Sequence, residues 1–557
     1  GGVAVGATAA TRIRRLDENA QIILFERTGY VSYANCGLPY YVGGVIDDSD
    51  ALTLQTPEAL FKRFGVDART RHEVVAINRA AKTVDVVNLA TGERFVESSD
   101  KLVLAPGARP VVPPLAGVDL DGVFTLRTVE DALKIRKFVD SRKPASAILA
   151  GGGFISLELA ENLRERGLDV TIVQRGDQLM TTFDAEIVPF IHATLRQHGV
   201  KLALGRSVTG FRAAEGAVDV LLDKGAPLRG EFVGLAIGVT PDSTLAKNAG
   251  LALGAKDAVL VDDRMTTSDP DIYAGGDAVL VKHYVSGEDA LVALAGPANK
   301  HGRIIADNIC GKTSRYLGSQ GSAIFKLFDA TVGSTGLGER AAKLAGYDVE
   351  TVVISPASHA GYYPGAKTMT MKIVFDRKSF ALLGAQIFGY DGVDKRLDVL
   401  ATAIRARMRA DDLKDLDLAY APPYSSAKDP VNMAGFVADN VARGVVKQWG
   451  ISELADLPRD GSVSLLDART PREYALGHVE GFVNIPVDEL RERVRELEKG
   501  KPVYVMCQSG LRSYVACRIL HGYGYDARNF KGGYRLYAAI AKEQALAKET
   551  SPCGADA

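Results

Sequence analysis

The chain has 557 residues, enough for several domains of about 100–200 residues each. Its 67 basic and 68 acidic side chains leave a formal net charge of −1, which gives no electrostatic reason to expect a nucleic-acid partner. No apolar run approaches the roughly 18–20 residues that cross a membrane. The composition therefore predicts a soluble globular protein without a membrane span.

The five cysteines stand far apart, at positions 36, 310, 507, 517 and 553. None has the CxxC spacing of a zinc or iron–sulfur site, and only eight histidines are present, so we expect no metal centre. An odd number of separated cysteines favours a reducing, cytoplasmic compartment over a disulfide framework. We expect Cys310 and Cys517 to be packing residues and Cys553 to lie in a polar tail.

A glycine-rich segment opens the chain and leads into a first predicted nucleotide-binding unit. Gly1-Gly2-Val3-Ala4 precedes a helix from about Ala7 to Leu16, and the strand that follows ends at Glu26 and Arg27. Glycines let backbone amides approach a pyrophosphate at the helix N-terminus, and a carboxylate about 20 residues further on can bind ribose hydroxyls. Because Val3 replaces the usual second glycine, a plain structural turn remains an alternative. Such loops follow an apolar strand, so we expect the natural chain to begin earlier.

A second copy of the pattern is cleaner. The buried strand Ala147–Ala150 runs into Gly151-Gly152-Gly153-Phe154-Ile155-Ser156, which fits GxGxx(small), and Glu158 lies in the helix that follows. The next strand ends at Gln174 and Arg175. Two dinucleotide folds in one chain indicate two dinucleotides, usually a flavin and a nicotinamide. Neutral Gln174 beside Arg175 leaves NADH and NADPH both open, with NADH slightly favoured.

Three further segments match this arrangement. Leu102–Ala108 predicts a strand and turn where the chain leaves the first nucleotide domain, and Leu235–Pro241 predicts the return from the second. Asp271–Asp277 combines a strand, a glycine pair and an aspartate, and Asp277 can bind the ribityl or phosphate region of a flavin.

The order of these segments resembles the flavin-dependent pyridine nucleotide-disulfide reductases over about residues 1–440. Within them, Ser32-Tyr33-Ala34-Asn35-Cys36-Gly37-Leu38-Pro39-Tyr40 resembles the coenzyme A-disulfide reductase branch, which has a single redox cysteine. Single-cysteine NADH oxidases and peroxidases share the scaffold. The resemblance implies FAD, NAD(P)H and coenzyme A, with Cys36 as the redox centre at a helix start that favours the thiolate. The cofactor-binding residues it implies are Gly1, Gly2, Val3, Ala4, Glu26, Arg27, Val74, Ala105, Gly107, Asp277, Pro297, Gly151, Gly153, Phe154, Ile155, Glu158, Gln174, Arg175 and Gly238.

The first helix supports the coenzyme A interpretation. Thr8, Arg12 and Arg15 are spaced i, i+4, i+7 and share one helical face, where a hydroxyl and two guanidiniums can grip the phosphates of an ADP moiety. The resemblance adds Ser32, Asn35 and Arg69 to this substrate site. A solvated basic face is the alternative.

Residues 311–440 read as a mixed α/β domain, which the resemblance implies is the dimerisation domain of a homodimer. In the family it contributes tyrosines to the partner's active site. Tyr424 is the better match, while Tyr362 and Tyr363 cannot be separated. Aromatic side chains that fill interface loops are the alternative for each.

A second resemblance begins after residues 441–460. Ser464–Arg469, Glu473-Tyr474 and Gly477–Pro486 resemble the rhodanese (sulfurtransferase) domain, with Phe482 in place of a small residue. The loop Cys507-Gln508-Ser509-Gly510-Leu511-Arg512-Ser513 follows a buried strand and precedes a helix. Such a loop turns its amides inward as an anion nest, which stabilises a thiolate or persulfide, and Arg512 adds charge. It is one residue shorter than the related phosphatase loop, which favours attack on sulfur.

These patterns together predict an α/β protein with two Rossmann-like domains that bind FAD and NAD(P), an α+β dimerisation domain and a C-terminal α/β rhodanese domain. The predicted boundaries are 1–110 with 230–310 for FAD, 111–229 for NAD(P), 311–440 for dimerisation, 441–455 for a linker and 456–557 for the rhodanese domain. We expect the enzyme to reduce coenzyme A persulfide or polysulfide and coenzyme A disulfide at Cys36, while Cys507 carries sulfane sulfur. The alternative is an NAD(P)H oxidase or peroxidase with a Cys36 sulfenate and a rhodanese domain that only binds or senses sulfur.

Overall fold

The computed structural model describes residues 1–549. They form two compact units, one of Gly1–Thr181 with His198–Gly321, and one of Thr182–Gln197 with the chain from Ser322 onward. Cys553 lies outside the described residues. Within residues 1–549, no helix is both long enough and apolar enough to cross a bilayer.

The N-terminal part of the first unit contains two parallel strand pairs and a pair of packed helices. Ile22–Glu26 pairs with Val66–Thr70, and Leu102–Leu104 pairs with Ile272–Ala274. A cavity of about 1100 Å³ is lined by residues from both pairs. The other elements here are helices Ala4–Leu16, Leu38–Gly43, Pro57–Phe64, Thr244–Asn248 and Ala295–Ile309, and antiparallel strands His72–Asn78, Thr83–Asn88, Arg94–Ser98, Val279–Lys282 and Asp289–Ala290, with Val259–Leu260 parallel to Val279–Lys282.

A five-stranded parallel sheet forms the second part of this unit. Its spatial order is Lys201–Leu204, Asp169–Gln174, Ser146–Ala150, Phe232–Leu235 and Val123–Phe124. Its central strands are buried almost completely, as expected for a parallel sheet covered on both faces. Helices Val129–Arg142 and Phe154–Glu165 belong here, with the antiparallel strands Val208–Ala214, Ala217–Leu222 and Leu228–Gly230. Ala108–Pro110 and Val239–Pro241 form an antiparallel pair where the chain crosses between the two parts.

The second unit contains two five-stranded sheets. The first is antiparallel, in the order Ala323–Leu327, Ala330–Gly336, Leu382–Gly389, Thr370–Asp376, Val349–Ile354, with helices Val188–Gln197, Glu339–Leu344, Val393–Arg405 and Pro430–Ala442. The second is parallel, in the order Lys447–Trp449, Ala527–Phe530, Val503–Met506, Ser464–Asp467, Val483–Asn484, with helices Pro471–Ala475, Leu490–Arg493, Leu511–Gly522 and Gly533–Glu549. The predicted mixed α/β fold class is confirmed. The segment predicted as a linker contains Lys447–Trp449, a strand of the parallel sheet.

A buried lysine fixes the short excursion Thr182–Gln197 to the second unit. The Lys372 ammonium, with no exposed surface, lies 3.1 Å from Asp184, 2.7 Å from Glu186 and 2.7 Å from Glu339. Burial alone lowers the pKa of Lys372, but the three carboxylates outweigh it and raise that pKa. The charge on Lys372 therefore holds together segments that are far apart in the chain.

Candidate active sites

The first glycine-rich loop presents an uncapped helix end beside a buried carboxylate. Helix Ala4–Leu16 has Val3 at its N-cap without a side-chain hydrogen bond, so its first amides remain available. The Gly2 amide donates to Glu26 Oε2 at 2.8 Å, and Glu26 is only 7% exposed. A dinucleotide needs this combination of amides for phosphate and a carboxylate for ribose, so the residues fit a flavin nucleotide.

The second glycine-rich loop also leads into a helix without a side-chain cap, and its glycine at the helix start is exposed. Gly151 has φ +107°, and a Cβ there would lie 2.2 Å from the Ala236 carbonyl oxygen, so only glycine fits. Gly153 is exposed, has open space where a Cβ would point, and caps helix Phe154–Glu165 without a side-chain bond. Gln174 is half-buried at the end of the neighbouring strand and Arg175 is exposed. These residues fit a nicotinamide dinucleotide.

The remaining predicted cofactor residues occupy loops and strand ends of the same unit. The Arg27 guanidinium forms ion pairs with Glu73 at 3.6 Å and Asp242 at 3.5 Å. Gly1, Glu26, Arg27, Val74 and Ala105 line the 1100 Å³ cavity. Gly107 and Gly238 adopt positive φ, Pro297 lies in the first turn of helix Ala295–Ile309, and Ile155 lies in the first turn of helix Phe154–Glu165 with Phe154.

Cys36 is an exposed free cysteine in the turn that leads into helix Leu38–Gly43. Its pKa is raised from the ordinary value, first by partial burial and then by the charges of Glu158 and Asp277, while Arg127 lowers it. The expected preference for the thiolate is therefore not met by this structure, because burial and two carboxylates outweigh one guanidinium. Burial and Glu161 also raise the pKa of Glu158 itself, to about 7.

Arg127 organises the surroundings of Cys36. Its guanidinium lies 3.2 Å from Asp277, whose pKa is raised, first by burial and against the influence of Arg127. With its amide oriented to satisfy both groups, Asn35 donates to the Arg127 carbonyl at 2.9 Å and accepts from its guanidinium at 2.7 Å. Ser32 has φ +48° and its amide donates to the Gly2 carbonyl at 2.7 Å. Asp277, Asn35 and Cys36 thus share one neighbourhood around Arg127.

The residues of the first helix that are predicted to bind phosphate already contact other side chains of the protein. The Arg12 guanidinium pairs with Asp307 at 2.8 Å, and the Thr8 hydroxyl donates to Asn299 Oδ1 at 2.7 Å. Arg15 lies 5.9 Å from the centre of the Phe64 ring. Arg69 pairs with Asp67 at 2.6 Å and Glu97 at 3.1 Å. Arg12 must therefore exchange or share its carboxylate partner before it can bind a phosphate.

The tyrosine-bearing loops are joined by a hydrogen bond that the sequence did not predict. The hydroxyl groups of Tyr362 and Tyr420 lie 2.7 Å apart, with the side chains 76% and 47% exposed. The Tyr363 ring packs edge-on against His359, and the Tyr424 side chain is exposed without joining this pair. Tyr362 thus joins a hydroxyl pair and Tyr363 does not, and Tyr420, the partner of Tyr362, is not among the predicted site residues.

A buried arginine ties the two tyrosine loops together. Arg396 donates to the Ser358 carbonyl at 2.8 Å and to the Tyr424 carbonyl at 3.2 Å, and it pairs with buried Asp429 at 2.9 Å. The Ser425 hydroxyl donates to the same carboxylate at 2.6 Å. This fully paired network holds both loops on helix Val393–Arg405.

Cys507 lies buried at the end of strand Val503–Met506, at the base of its own loop. The Gly510 amide donates to Cys507 Sγ at 3.1 Å, and the Ser513 hydroxyl lies 3.2 Å from both Sγ and the Gly510 carbonyl. Helix Leu511–Gly522 begins directly after Gly510. The loop is therefore built to receive negative charge on sulfur, from a thiolate or a persulfide.

Arg512 is held by a bidentate ion pair with Glu473. Both nitrogen–oxygen distances are 2.7 Å. The Arg512 guanidinium lowers the pKa of Glu473 to about 2, with further help from the amide and hydroxyl of Thr470.

A second ion pair of this domain is buried. Asp467 and Arg469 pair at 2.7 Å, and Arg469 stacks on the Tyr534 ring.

The start of helix Gly533–Glu549 supports the cysteine loop from behind. The amides of Tyr534 and Arg535 donate to the carbonyls of Cys507 and Gln508 at 2.7 and 3.1 Å. Gly533 has φ +67°, and a Cβ there would lie 2.5 Å from the Ser509 nitrogen. The adjacent glycines Gly532 and Gly533 are the sequence signal for this close approach, which the predictions above do not include.

Comparison with known proteins follows the same division of the chain. Residues 1–302 match the pyridine nucleotide-disulphide oxidoreductase family, residues 322–430 its dimerisation domain, and residues 451–540 the rhodanese-like domain. The chain is 36% identical over 441 residues to the coenzyme A disulfide reductase of Staphylococcus haemolyticus, covering 79% of this chain and 98% of that protein.

Two solved structures extend the similarity to almost the whole chain, and a third covers 80% of it. Reduced Bacillus anthracis CoADR-RHD is 45% identical with a TM-score of 0.95, covering 98% of this chain and 97% of that one. The NAD-dependent persulfide reductase from A. fulgidus is 38% identical with a TM-score of 0.90, covering 96% and 99%. The water-forming NADH oxidase from Lactobacillus brevis is 29% identical with a TM-score of 0.76, covering 80% and 98%.

Proposed function

Because this chain belongs to the pyridine nucleotide-disulphide oxidoreductase family and carries a C-terminal rhodanese-like domain, we propose that it is an NAD(P)H-dependent flavoprotein that reduces coenzyme A persulfide and coenzyme A disulfide. The observation that carries the proposal is Cys36, an exposed free cysteine placed among Arg127, Asp277 and Glu158 beside two nucleotide-binding loops. All four cysteines that the described residues contain are free thiols, so a mixed disulfide with a small thiol is the expected oxidised state.

Sulfur chemistry at Cys36 needs only thiolate–disulfide exchange. The Cys36 thiolate attacks the coenzyme A sulfur of the persulfide, the S–S bond breaks, and hydrosulfide leaves with the electron pair. With coenzyme A disulfide, the leaving group is a coenzyme A thiolate. FAD, when bound, supplies the electron pair from NAD(P)H that reduces the mixed disulfide. Burial, Glu158 and Asp277 raise the pKa of Cys36, and Arg127 opposes them, so Arg127 is the group among these that favours the attacking thiolate.

We assign the recognition of coenzyme A to the first helix and the cysteine segment. Thr8, Arg12 and Arg15 lie on one helix with Arg12 turned toward Asp307, and Asn35 is fixed by Arg127 next to Cys36. The nucleotide would be held by the arginines, and the pantetheine arm would reach Cys36. Ser32 and Arg69 belong to the same proposed site. The predicted domain boundaries are part of this proposal, except that the rhodanese-like domain includes Lys447–Trp449, which is a strand of its sheet.

The tyrosine pair supplies the proton for the leaving sulfur. In the Tyr362–Tyr420 pair one phenol donates to the other, so the remaining hydroxyl proton can be given to a leaving thiolate or hydrosulfide. The match to a dimerisation domain supports a homodimer in which these exposed tyrosines serve the partner's Cys36 site. Tyr363 and Tyr424 are then neighbours of the pair.

Cys507 is the proposed sulfane-sulfur carrier. Its loop amide and the Ser513 hydroxyl stabilise the anionic sulfur, and Arg512 lies at the loop's end. A persulfide formed on Cys507 passes its outer sulfur to the coenzyme A thiol, which then carries it to Cys36. Because both centres belong to one chain, their effective concentration is set by geometry rather than by diffusion of separate proteins.

The test is anaerobic stopped-flow reoxidation of the NADH-reduced enzyme by coenzyme A disulfide, coenzyme A persulfide and hydrogen peroxide. We expect both coenzyme A substrates to reoxidise the enzyme without oxygen. Cys36→Ser should keep FAD and lose both reactions, while Cys507→Ser should lose only transfer from sulfane donors. Reoxidation by peroxide or oxygen alone would instead establish the oxidase alternative with a Cys36 sulfenate. Sulfur transfer that survives Cys507→Ser would leave the rhodanese domain a binding module.

A further inference from the structure

We propose that Glu473 determines which sulfur donors Cys507 accepts, by neutralising Arg512 and thereby disfavouring small dianionic donors such as thiosulfate. Glu473 lies outside the loop that carries the cysteine and makes no contact with the sulfur. It acts through Arg512, so it is a positioning and specificity residue. This inference rests on the proposed role of Cys507 as the sulfur carrier.

The ion pair is stronger than an ordinary surface contact. Each Glu473 carboxylate oxygen accepts a hydrogen bond from one terminal nitrogen of Arg512 at 2.7 Å. Two parallel hydrogen bonds of this kind are the geometry in which a guanidinium and a carboxylate bind best. The carboxylate is also fixed from behind, because the Thr470 amide and hydroxyl donate to Glu473 Oε2 at 3.0 and 2.8 Å. Both partners are about one-third exposed, so they lie at the mouth of the site.

The pair changes the net charge that a donor meets. The buried Asp467–Arg469 pair beneath the site is already neutral. Without Glu473, Arg512 would give the mouth one positive charge, which attracts a dianion more than a monoanion. With Glu473, the charge of Arg512 is cancelled, and the donor meets the dipoles of the loop without that charge. The ion pair therefore hardly changes the electrostatic attraction between the site and a persulfide of low charge. It removes most of the attraction between Arg512 and the thiosulfate dianion.

The transfer step itself is the same for both donors. The Cys507 thiolate attacks the outer sulfur of the donor, the donor's S–S bond breaks, and a Cys507 persulfide forms without net oxidation. Sulfite leaves from thiosulfate, and a thiolate leaves from an organic persulfide. Since the chemistry is shared, a change in the ratio of the two rates reports on donor recognition.

The experiment compares full-length holoenzyme variants with thiosulfate and with 2-hydroxyethyl persulfide as donors and coenzyme A as acceptor. We expect Glu473→Gln to raise kcat/KM for thiosulfate relative to the organic persulfide on the order of tenfold, mainly through a lower KM for thiosulfate. The gain should shrink in 0.5 M salt, where the Debye length falls to about 4–5 Å. Glu492→Gln, which removes an exposed charge of the same domain, should leave the ratio unchanged.

The Glu473→Asp variant distinguishes an effect of the carboxylate charge on donor preference from a general effect of the side chain on the structure of the site. It keeps the carboxylate but shortens it, so it should retain the wild-type preference even if its overall rate falls. Equal losses on both donors in Glu473→Gln and Glu473→Asp would show a purely structural role and overturn the inference. An unchanged ratio in Glu473→Gln would do the same. If Cys507→Ser transfers sulfur as well as the wild type, the proposed function of Cys507 fails instead.

Discussion

The two cysteines that we propose to be reactive are placed in opposite ways. Cys36 is exposed, and its pKa is raised by partial burial and by the charges of Glu158 and Asp277. Cys507 is buried, yet its own loop offers the Gly510 amide and the Ser513 hydroxyl to the sulfur. The C-terminal site is therefore preorganised by residues that lie close to Cys507 in the chain. The N-terminal site depends on distant residues, and its bound nucleotides and substrate would complete it.

The largest expected effect comes from disturbing the support behind Cys507. In Gly533→Ala, a Cβ at φ +67° would press on the backbone of Ser509 and Gln508 at 2.5–2.6 Å. We expect sulfur transfer to fall about a hundredfold, because small displacements of a preorganised loop are costly. Reduction of coenzyme A disulfide at Cys36 should be unchanged. Gly524→Ala is the matched control, since Gly524 also has positive φ (+81°) but open space around its Cβ position. Equal losses in both variants would mean that backbone strain alone explains the effect.

The hydroxyl donor to Cys507 can be removed by itself. Ser513→Ala deletes the group 3.2 Å from the sulfur while leaving the Gly510 amide in place. Hydrogen bonds to charged groups contribute about 1.5–3 kcal/mol, so we expect sulfur transfer to slow by roughly 10–100-fold. Ser509→Ala, in the same loop, should have little effect. Single-turnover transfer from a persulfide donor measures both, and similar rates in the two variants would contradict the role given to Ser513.

A variant of the tyrosine pair should affect the reaction at Cys36 and leave the reaction at Cys507 unchanged. Tyr420→Phe breaks the 2.7 Å hydroxyl contact and should lower kcat for coenzyme A disulfide by roughly tenfold, without loss of Cys507 sulfur transfer. Tyr424→Phe should change kcat little, because the Tyr424 hydroxyl does not join the pair. Steady-state measurement of kcat in both variants shows which tyrosine hydroxyl the reaction uses. A larger loss in Tyr424→Phe would restore the assignment made from sequence.

The smallest effect concerns the charge that raises the pKa of Cys36. In Glu158→Gln that charge is absent, so the Cys36 thiol should have a lower pKa and be alkylated by iodoacetamide a few-fold faster at neutral pH. Glu165→Gln, on the exposed side of the same helix, is the control. No acceleration in Glu158→Gln would show that burial and Asp277, without Glu158, raise the pKa of this thiol.

Glu158 also predicts a dependence of stability on pH. Its pKa is about 7 in the fold against 4.5 as the ordinary value, so between these values the folded state holds a proton that the unfolded state has lost. The free energy of unfolding should therefore fall as pH rises from 4.5 to 7, by about 3 kcal/mol from this group. Urea denaturation at pH 5 and pH 8 should show a smaller pH effect in Glu158→Gln.

Prediction from sequence succeeded where a site is contiguous and failed where it is assembled. The Cys507 loop and the helix Leu511–Gly522 that follows it are recognised from adjacent residues. By contrast, Arg127 and Asp277 meet across 150 residues, Arg12 and Asp307 across 295, and Tyr362 and Tyr420 across 58. Helical spacing correctly placed Thr8, Arg12 and Arg15 on one helix, but it carries no information about the helix Ala295–Ile309 that supplies their partners. The pKa direction of Cys36 was missed for the same reason.

The Lys372 cluster has a consequence for how the chain is made. Asp184 and Glu186 leave the ribosome long before Lys372, which follows Glu186 by 186 residues. Until then, the excursion Thr182–Gln197 has no buried cation to join. Synthesis is therefore expected to pass through a stage in which this segment stays undocked while the residues on either side of it fold. Nascent chains that end before Lys372 should expose the segment to proteases, and chains that extend past the sheet containing Lys372 should protect it.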